Sequence, residues 1–210
     1  MERINWTDFK GGANPLSEVY RIIRVNLQSA AAEKKAKVIA FTATNIGTDA
    51  NSIVAELAVS LALSGQRVLV VDCNLSQSSQ HILFALPNQG LTESIAGGVD
   101  LHAMVQHCME QERLDVLTAG ASVANTEEIL LNDKMLHFLS TVREEYDYVL
   151  LNMPPISQNT DAIAIGPKAD GVVLVVACVK DKINAVNEAK RKLEQAGAKV
   201  LGCILDKVAV

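Results

Sequence analysis

The chain has 210 residues, 49% hydrophobic and 20% charged, with a formal net charge of −5 and a pI near 5.4. That length and apolar content suffice for one buried core, and the acidic balance argues against a nucleic-acid partner. The longest apolar runs, such as Gly171 to Val179, fall far short of the roughly 20 residues of a membrane helix, so a soluble cytoplasmic protein without direct membrane insertion is expected.

Residues 1–35 are read as an N-terminal segment with one helix, from about Leu16 to Ala31, and 36–210 as the α/β core of a single domain. Val38 to Thr42 is a short apolar strand, Ser52 to Leu63 has helical spacing and stops at Ser64-Gly65, and Val68 to Asp72 is a second buried strand. Helical patterns at Leu91 to Ile95 and Leu101 to Gln106 precede a strand at Leu114 to Leu117. A helix from Glu127 to Glu145, a strand at Tyr148 to Asn152 and a helix at Asp161 to Ile165 follow. A strand at Gly171 to Ala177, a helix at Ile183 to Gln195 and a strand at Val200 to Leu205 complete the chain. This alternation predicts a doubly wound, mostly parallel sheet with helices on both faces. Ligands of such sheets bind beyond the strand carboxyl ends. The residues to weigh are therefore Thr44 to Asn51, Asp72 to Gln77, Thr118 to Ala121, Asn152 to Ile156 and Lys180.

The first strand, loop and helix form the frame of a phosphate-binding loop, but the loop reads Thr44-Asn45-Ile46-Gly47-Thr48-Asp49-Ala50-Asn51. The pattern G-x-x-x-x-G-K-[ST] would supply a second glycine, a lysine and a hydroxyl to the phosphates and magnesium. Only Gly47 fits. Ala50 brings no ammonium, and Asp49 puts a carboxylate where backbone should approach an anion. An ordinary βα turn is the plain alternative.

Cys73, Cys108, Cys178 and Cys203 are dispersed without a C-x-x-C pair, and reduced core thiols are expected. His102, His107 and Cys108 match no zinc spacing, so no metal is predicted. Lys190-Arg191-Lys192 is expected to be a solvated helix face, and Tyr146 and Tyr148 packing residues at a strand entrance.

The order of motifs is similar to the cytoplasmic domain of the bacterial tyrosine kinases (BY-kinases) of capsule and exopolysaccharide synthesis. Pro15-Leu16-Ser17-Glu18-Val19-Tyr20-Arg21-Ile22-Ile23-Arg24 precedes the loop, and Gln66-Arg67-Val68-Leu69-Val70-Val71-Asp72-Cys73-Asn74 follows it. Gly90-Leu91-Thr92, Leu117-Thr118-Ala119-Gly120, Glu145-Tyr146-Asp147-Tyr148, Pro154-Pro155, Thr160-Asp161-Ala162 and Ala169-Asp170-Gly171 then appear in the family's order. The likeness covers roughly Pro15 to Leu205. It implies a three-layer, P-loop NTPase-like fold in the MinD/ParA-like superfamily.

Mapped onto the family pattern, Asp49 replaces the second glycine, Ala50 the phosphate lysine and Asn51 the magnesium-binding hydroxyl. Asp72 is kept in the second carboxylate motif, but Asn74 replaces its other aspartate, and Asn152 replaces the aspartate ending the Walker B strand. Asp72 also has a plain alternative as a strand-end carboxylate that caps a loop. Phosphoryl transfer rests on positioning and charge neutralisation, so the expectation is a pseudokinase. It would have no catalytic residues, no cofactor and only a vestigial nucleotide pocket at Thr44, Gly47, Asp49, Ala50, Asn51, Asp72, Asn74 and Asn152. The family's tyrosine-rich tail has no counterpart in Leu205-Asp206-Lys207-Val208-Ala209-Val210.

Glu18, Arg21 and Arg24 match the family's E-x-x-R-x-x-R assembly motif, and their spacing puts them near one helix face. Pairing within an exposed helix is the alternative. The resemblance implies a homo-oligomer or a ring with a paralogous kinase, and a partner in the cytoplasmic tail of a membrane polysaccharide co-polymerase. Such a partner would place the chain at the inner face of the bacterial plasma membrane. Two other functions stay open. One is an active kinase or ATPase that uses ATP and magnesium on an unorthodox loop. The other is a MinD/ParA-like positioning factor.

Overall fold

A computed structural model describes residues 2–10, 14–178 and 181–206. The predicted position Lys180 and the last four residues of the C-terminal run lie outside them.

A short helix α1 (Thr7–Lys10) precedes the long α2 (Pro15–Lys34). Asn14 caps α2 by accepting the Leu16 N–H at 2.9 Å, Pro15 occupies the first turn, and Lys35 ends it in the left-handed region at φ 53. The strands β1 (Val38–Ala43), β2 (Val68–Asp72), β3 (Gln106–His107), β4 (Leu114–Leu117), β5 (Tyr148–Asn152), β6 (Gly171–Ala177) and β7 (Val200–Asp206) form one sheet in the order β3-β4-β2-β5-β1-β6-β7. All pairings are parallel except β3 with β4. The doubly wound, mostly parallel sheet read from the sequence is the observed one.

Alternate residues of each central strand feed two cores. Ile39, Phe41, Val68 and Val70 pack beneath α2 and α3 (Ala50–Leu63), while Val38, Ala40, Leu69 and Val71 face the opposite helical layer. That layer comprises α5 (Leu91–Gly97), α6 (Thr126–Leu130), α7 (Asp133–Glu145), α8 (Asp161–Ile165) and α9 (Ile183–Gln195). α3 is sandwiched between sheet and α2, so Ile53, Val54, Leu57, Ala58 and Leu61 are all buried. α9 buries only Ala189 and Leu193, leaving Lys190, Arg191 and Lys192 in solvent.

Three local expectations need correction. The helical pattern Leu101 to Gln106 is a 3-10 turn at Leu101–Met104, after which Gln106 and His107 pair with Val116 and Asp115. Pairing with β4 outweighs a short helical spacing. The Glu127 to Glu145 helix is broken between Leu130 and Asp133, because the Asn132 side chain accepts the Lys134 N–H at 3.0 Å and starts a new helix. Cys73 and Cys108 are buried, but Cys178 and Cys203 are exposed. β7 is an edge strand, and Cys178 lies just past the end of β6. The short helices α1 and α4 (Gln80–Leu83) were not anticipated.

Candidate functional site

The carboxyl ends of β1, β2 and β5 open onto a cleft of about 430 Å³. The loop from Ile46 to Asn51 forms one wall, Asn74 and Gln77 another, and Met153, Pro155 and Gln158 close it. Gly47 holds φ 88 with open space around it, a conformation that favours glycine.

Asp49 is the N-cap of α3. Its Oδ1 accepts the Ser52 N–H at 3.1 Å and its Oδ2 accepts the Ser52 hydroxyl at 2.9 Å. The partial positive charge at this helix start is therefore met by a carboxylate of the chain itself. Ala50 is 4% exposed and contributes no polar group. Among the described residues that line the cleft, Asp49 is the only charged one.

Beneath the loop lies a buried polar cluster. Parallel pairing sets Asp72 of β2 beside Asn152 of β5, both with no exposed surface. The Asn152 amide Nδ2 donates to Asp72 Oδ1 at 2.9 Å and to Asn51 Oδ1 at 3.0 Å. Asp72 also accepts the N–H groups of Asn74 at 3.2 Å, Ser79 at 2.9 Å and Gln80 at 3.0 Å. Burial pushes the Asp72 carboxyl above the ordinary carboxylate range, against the pull of these four bonds. The plain expectation for Asp72, a strand-end carboxylate holding the following loop, describes its contacts well. Gln80 Nε2 donates to the Asn51 carbonyl at 3.1 Å and ties α4 to α3.

Thr44 diverges from the other predicted positions. Its hydroxyl donates to the Asp181 carboxylate, which also accepts the Asn45 amide at 2.6 Å and the Ala177 N–H at 2.9 Å. This latch fastens the loop to the end of β6. Asp181, Gln80 and Ser79 were missed by sequence reasoning. For Asp181 the available signal was a carboxylate just past a strand's carboxyl end, but its side-chain partners Asn45 and Thr44 lie 136 and 137 residues away.

The donor set does not suit a magnesium polyphosphate. An anion would meet Asp49 at the helix start with no lining cation to offset it. Asn51 Oδ1 is already an acceptor, and Asn152 turns N–H groups, not oxygen, towards Asp72 and Asn51.

The assembly motif divides. Glu18 and Arg21 pair at 2.6 Å on the exposed surface of α2. Arg24 instead donates from Nη1 to the Ser60 carbonyl at 2.9 Å, bracing α2 on α3. All three line one shallow depression with Phe9, Ser17 and Leu63. The exposed apolar residues Val19, Ile22 and Val25 lie on the same helix.

Other candidate residues have structural partners. His102 stacks edge-on against Phe138 with centroids 4.9 Å apart, and His107 Nδ1 lies 2.7 Å from Asp115. Tyr146 donates its hydroxyl to Asp115 at 2.8 Å, with Arg67 over its ring. Burial pushes the Cys73 thiol well up. Among the described residues no group of three or more His, Cys, Asp or Glu is placed to hold a metal, and no helix is long and apolar enough to cross a membrane.

Comparison with known proteins agrees with this architecture. A family model described as an AAA domain matches residues 36–199. The tyrosine-protein kinase CpsD of Streptococcus agalactiae is 31% identical over 211 residues, covering 99% of this chain and 91% of its own. The tyrosine-protein kinase etk of Escherichia coli (strain K12) is 30% identical over 93% of this chain, which spans only 27% of that longer protein. The solved kinase domain of Escherichia coli ETK superposes with a TM-score of 0.90 at 27% identity, covering 100% of this chain and 84% of that one. A chimerical protein, CapA2B2, gives 0.89 at 27% identity, with 100% and 93% covered. MinD of Pyrococcus horikoshii shares the fold at a TM-score of 0.65 and 22% identity, over 80% of this chain and 69% of its own. The chain belongs to the bacterial tyrosine-kinase family.

Proposed function

We propose that this protein is a catalytically degenerate BY-kinase, a pseudokinase that acts by binding as a regulator or scaffold in exopolysaccharide or capsule synthesis and export. The observation that carries the reading is the Asp49 carboxylate capping α3 in a cleft with no cationic lining among the described residues. Phosphoryl transfer needs the opposite arrangement, with cations gathered on the phosphates and a metal held by carboxylates. Here the counterparts of lysine, hydroxyl and two aspartates are Ala50, Asn51, Asn74 and Asn152. Four losses at one site remove both the clamp and the support for a metal.

Binding is assigned to α2. The exposed Glu18–Arg21 pair beside Val19, Ile22 and Val25 is a mixed polar and apolar face suited to contact between subunits. The partners proposed are further copies of the chain or a paralogous active kinase in a ring. The cytoplasmic tail of a membrane co-polymerase would hold that assembly at the inner face of the plasma membrane. A relative named tyrosine-protein kinase CpsD, matched over 91% of its length, supports the kinase-family part of this reading, and the likeness to the chimerical protein CapA2B2 supports a partner chain.

Thermal unfolding with ATP or ADP and magnesium tests the reading. A ligand at 100 times its dissociation constant adds about 2.7 kcal/mol, and each kcal/mol shifts a domain of this size by roughly 2–4 °C. No magnesium-dependent shift is expected. A clear rise would favour an active kinase or ATPase, and a rise coupled to membrane recruitment would favour a positioning factor.

A further inference from the structure

The residues of the degenerate site are not merely missing their old chemistry, because they hold one another. By the resemblance, Asn51 stands at the magnesium-binding hydroxyl, Asp72 in the second carboxylate motif and Asn152 at the end of the Walker B strand. Here they belong to the start of α3, the end of β2 and the end of β5, elements separated by as many as 101 residues. A single amide nitrogen, Asn152 Nδ2, reaches both other members at 2.9 and 3.0 Å.

We infer that the Asn152 amide is a built-in, uncharged substitute for the metal, cross-linking α3, β2 and β5 so that the cleft keeps its shape without cation or nucleotide. This rests on the pseudokinase reading above and deepens it, since a scaffold must present its surfaces without a ligand cycle.

The orientation of the amide follows from its neighbours. Its oxygen against the Asp72 carboxylate would set two acceptors together in a buried place, so the nitrogen faces Asp72. The two N–H groups then serve two acceptors, as a metal with two ligands would. The analogy stops at charge. An amide cannot neutralise Asp72, and that carboxylate is balanced by the backbone N–H groups of Asn74, Ser79 and Gln80. The Asn152 backbone carbonyl adds a fixed point by accepting the Cys73 N–H at 2.9 Å. Both N–H groups of the amide are committed to the bridge, while the amide oxygen is buried without a hydrogen-bond partner.

The inference predicts what the aspartate of the family pattern would do at this position. Asn152→Asp would replace the 2.9 Å donor contact by two carboxylates in a site closed to solvent, a repulsion that only a proton or a cation relieves. The variant should thus regain the dependence on a divalent ion that the wild type has lost.

Thermal unfolding decides this with wild type, Asn152→Asp and Asn152→Ala, each in chelator and in millimolar magnesium, manganese or calcium chloride without nucleotide. The wild type should melt at the same temperature throughout. Asn152→Ala should melt several degrees lower, equally with and without metal. Asn152→Asp should be the least stable in chelator and should recover several degrees with at least one of the cations, a readout that a purely structural asparagine would not give. If Asn152→Asp folds under none of these conditions, the cycle of Asn51→Ala, Asn152→Ala and the double variant takes over, and the double loss should be clearly less than the sum. A wild type stabilised by the cations alone, an Asn152→Asp variant as stable as wild type in chelator, or an additive cycle would each overturn the inference. ATP binding by the wild type would count against the pseudokinase reading, whereas metal-independent stability would still stand for the bridge, so the two failures are separable.

Discussion

Asp49 carries two roles that substitution can separate. As N-cap it satisfies the Ser52 N–H at 3.1 Å, and as a charge it opposes any anion approaching the start of α3. Asp49→Ala removes both. Loss of a capping side chain costs about 1 kcal/mol, which for a chain of this length lowers the melting temperature by roughly 2–4 °C. Asp49→Asn keeps an oxygen acceptor and loses only the charge, so its stability should fall by no more than the roughly 0.3–1 kcal/mol of a charge at a helix start. The effect on anions runs the other way. Two unit charges 4 Å apart repel by about 1 kcal/mol in water and about 4 kcal/mol at an effective dielectric of 20. The cleft is open to solvent, so the lower figure applies, and both variants should bind tripolyphosphate roughly fivefold more tightly than wild type. Differential scanning calorimetry and isothermal titration measure the two effects on the same samples. If Asp49→Ala melts with wild type, the cap is energetically idle. Unchanged tripolyphosphate affinity in Asp49→Asn would refute the claim that this carboxylate guards the site.

Assembly is best probed at Arg21. Arg24 donates to Ser60 within the same chain, and its replacement would loosen α2 from α3 whatever the oligomer does. Arg21→Glu sets a like charge beside Glu18 at a cost of only about 0.2–0.5 kcal/mol within the helix, so light scattering should show a smaller particle while circular dichroism stays unchanged. A wild type that is monomeric at every concentration would end the self-assembly reading. Asp72 supplies the pH prediction. Its folded-state carboxyl lies above the ordinary range because of burial, so its contribution to stability is fully present below the unfolded value, near 3.9, and is lost as pH rises through the folded value. Urea unfolding across acid to neutral pH should show that loss in the wild type. Asp72→Asn, whatever its absolute stability, should lack it, and parallel curves would refute the assignment.

The order of strands and helices was legible because period-2 and period-3.6 patterns are local, and the βα alternation leaves few topologies. The continuous apolar runs at Val68 to Val71 and Gly171 to Ala177 announced strands covered on both faces. The oddity of Asp49-Ala50-Asn51 was equally plain, since charge and side-chain chemistry are written in the residue itself. Pairing was not. That Asp49 caps α3 depended on where its carboxylate turned, and only its contact with the Ser52 N–H shows that. The same holds for Arg24, which helical spacing placed with Glu18 and Arg21 but packing turned towards Ser60. Local pattern likewise missed the break at Asn132 and the β3 pairing, where a side-chain cap and a neighbouring strand outweighed helical spacing. The sequence by itself determined the α/β class and the absence of a basic residue from Thr44 to Asn51, because both follow from residue types in order. Only the tertiary structure decided that Asn51, Asp72 and Asn152 meet on one amide and that Asp181 latches the loop. Hydrogen bonds between residues 80 to 137 positions apart are set by sheet register and helix packing, which no local stretch of chain encodes.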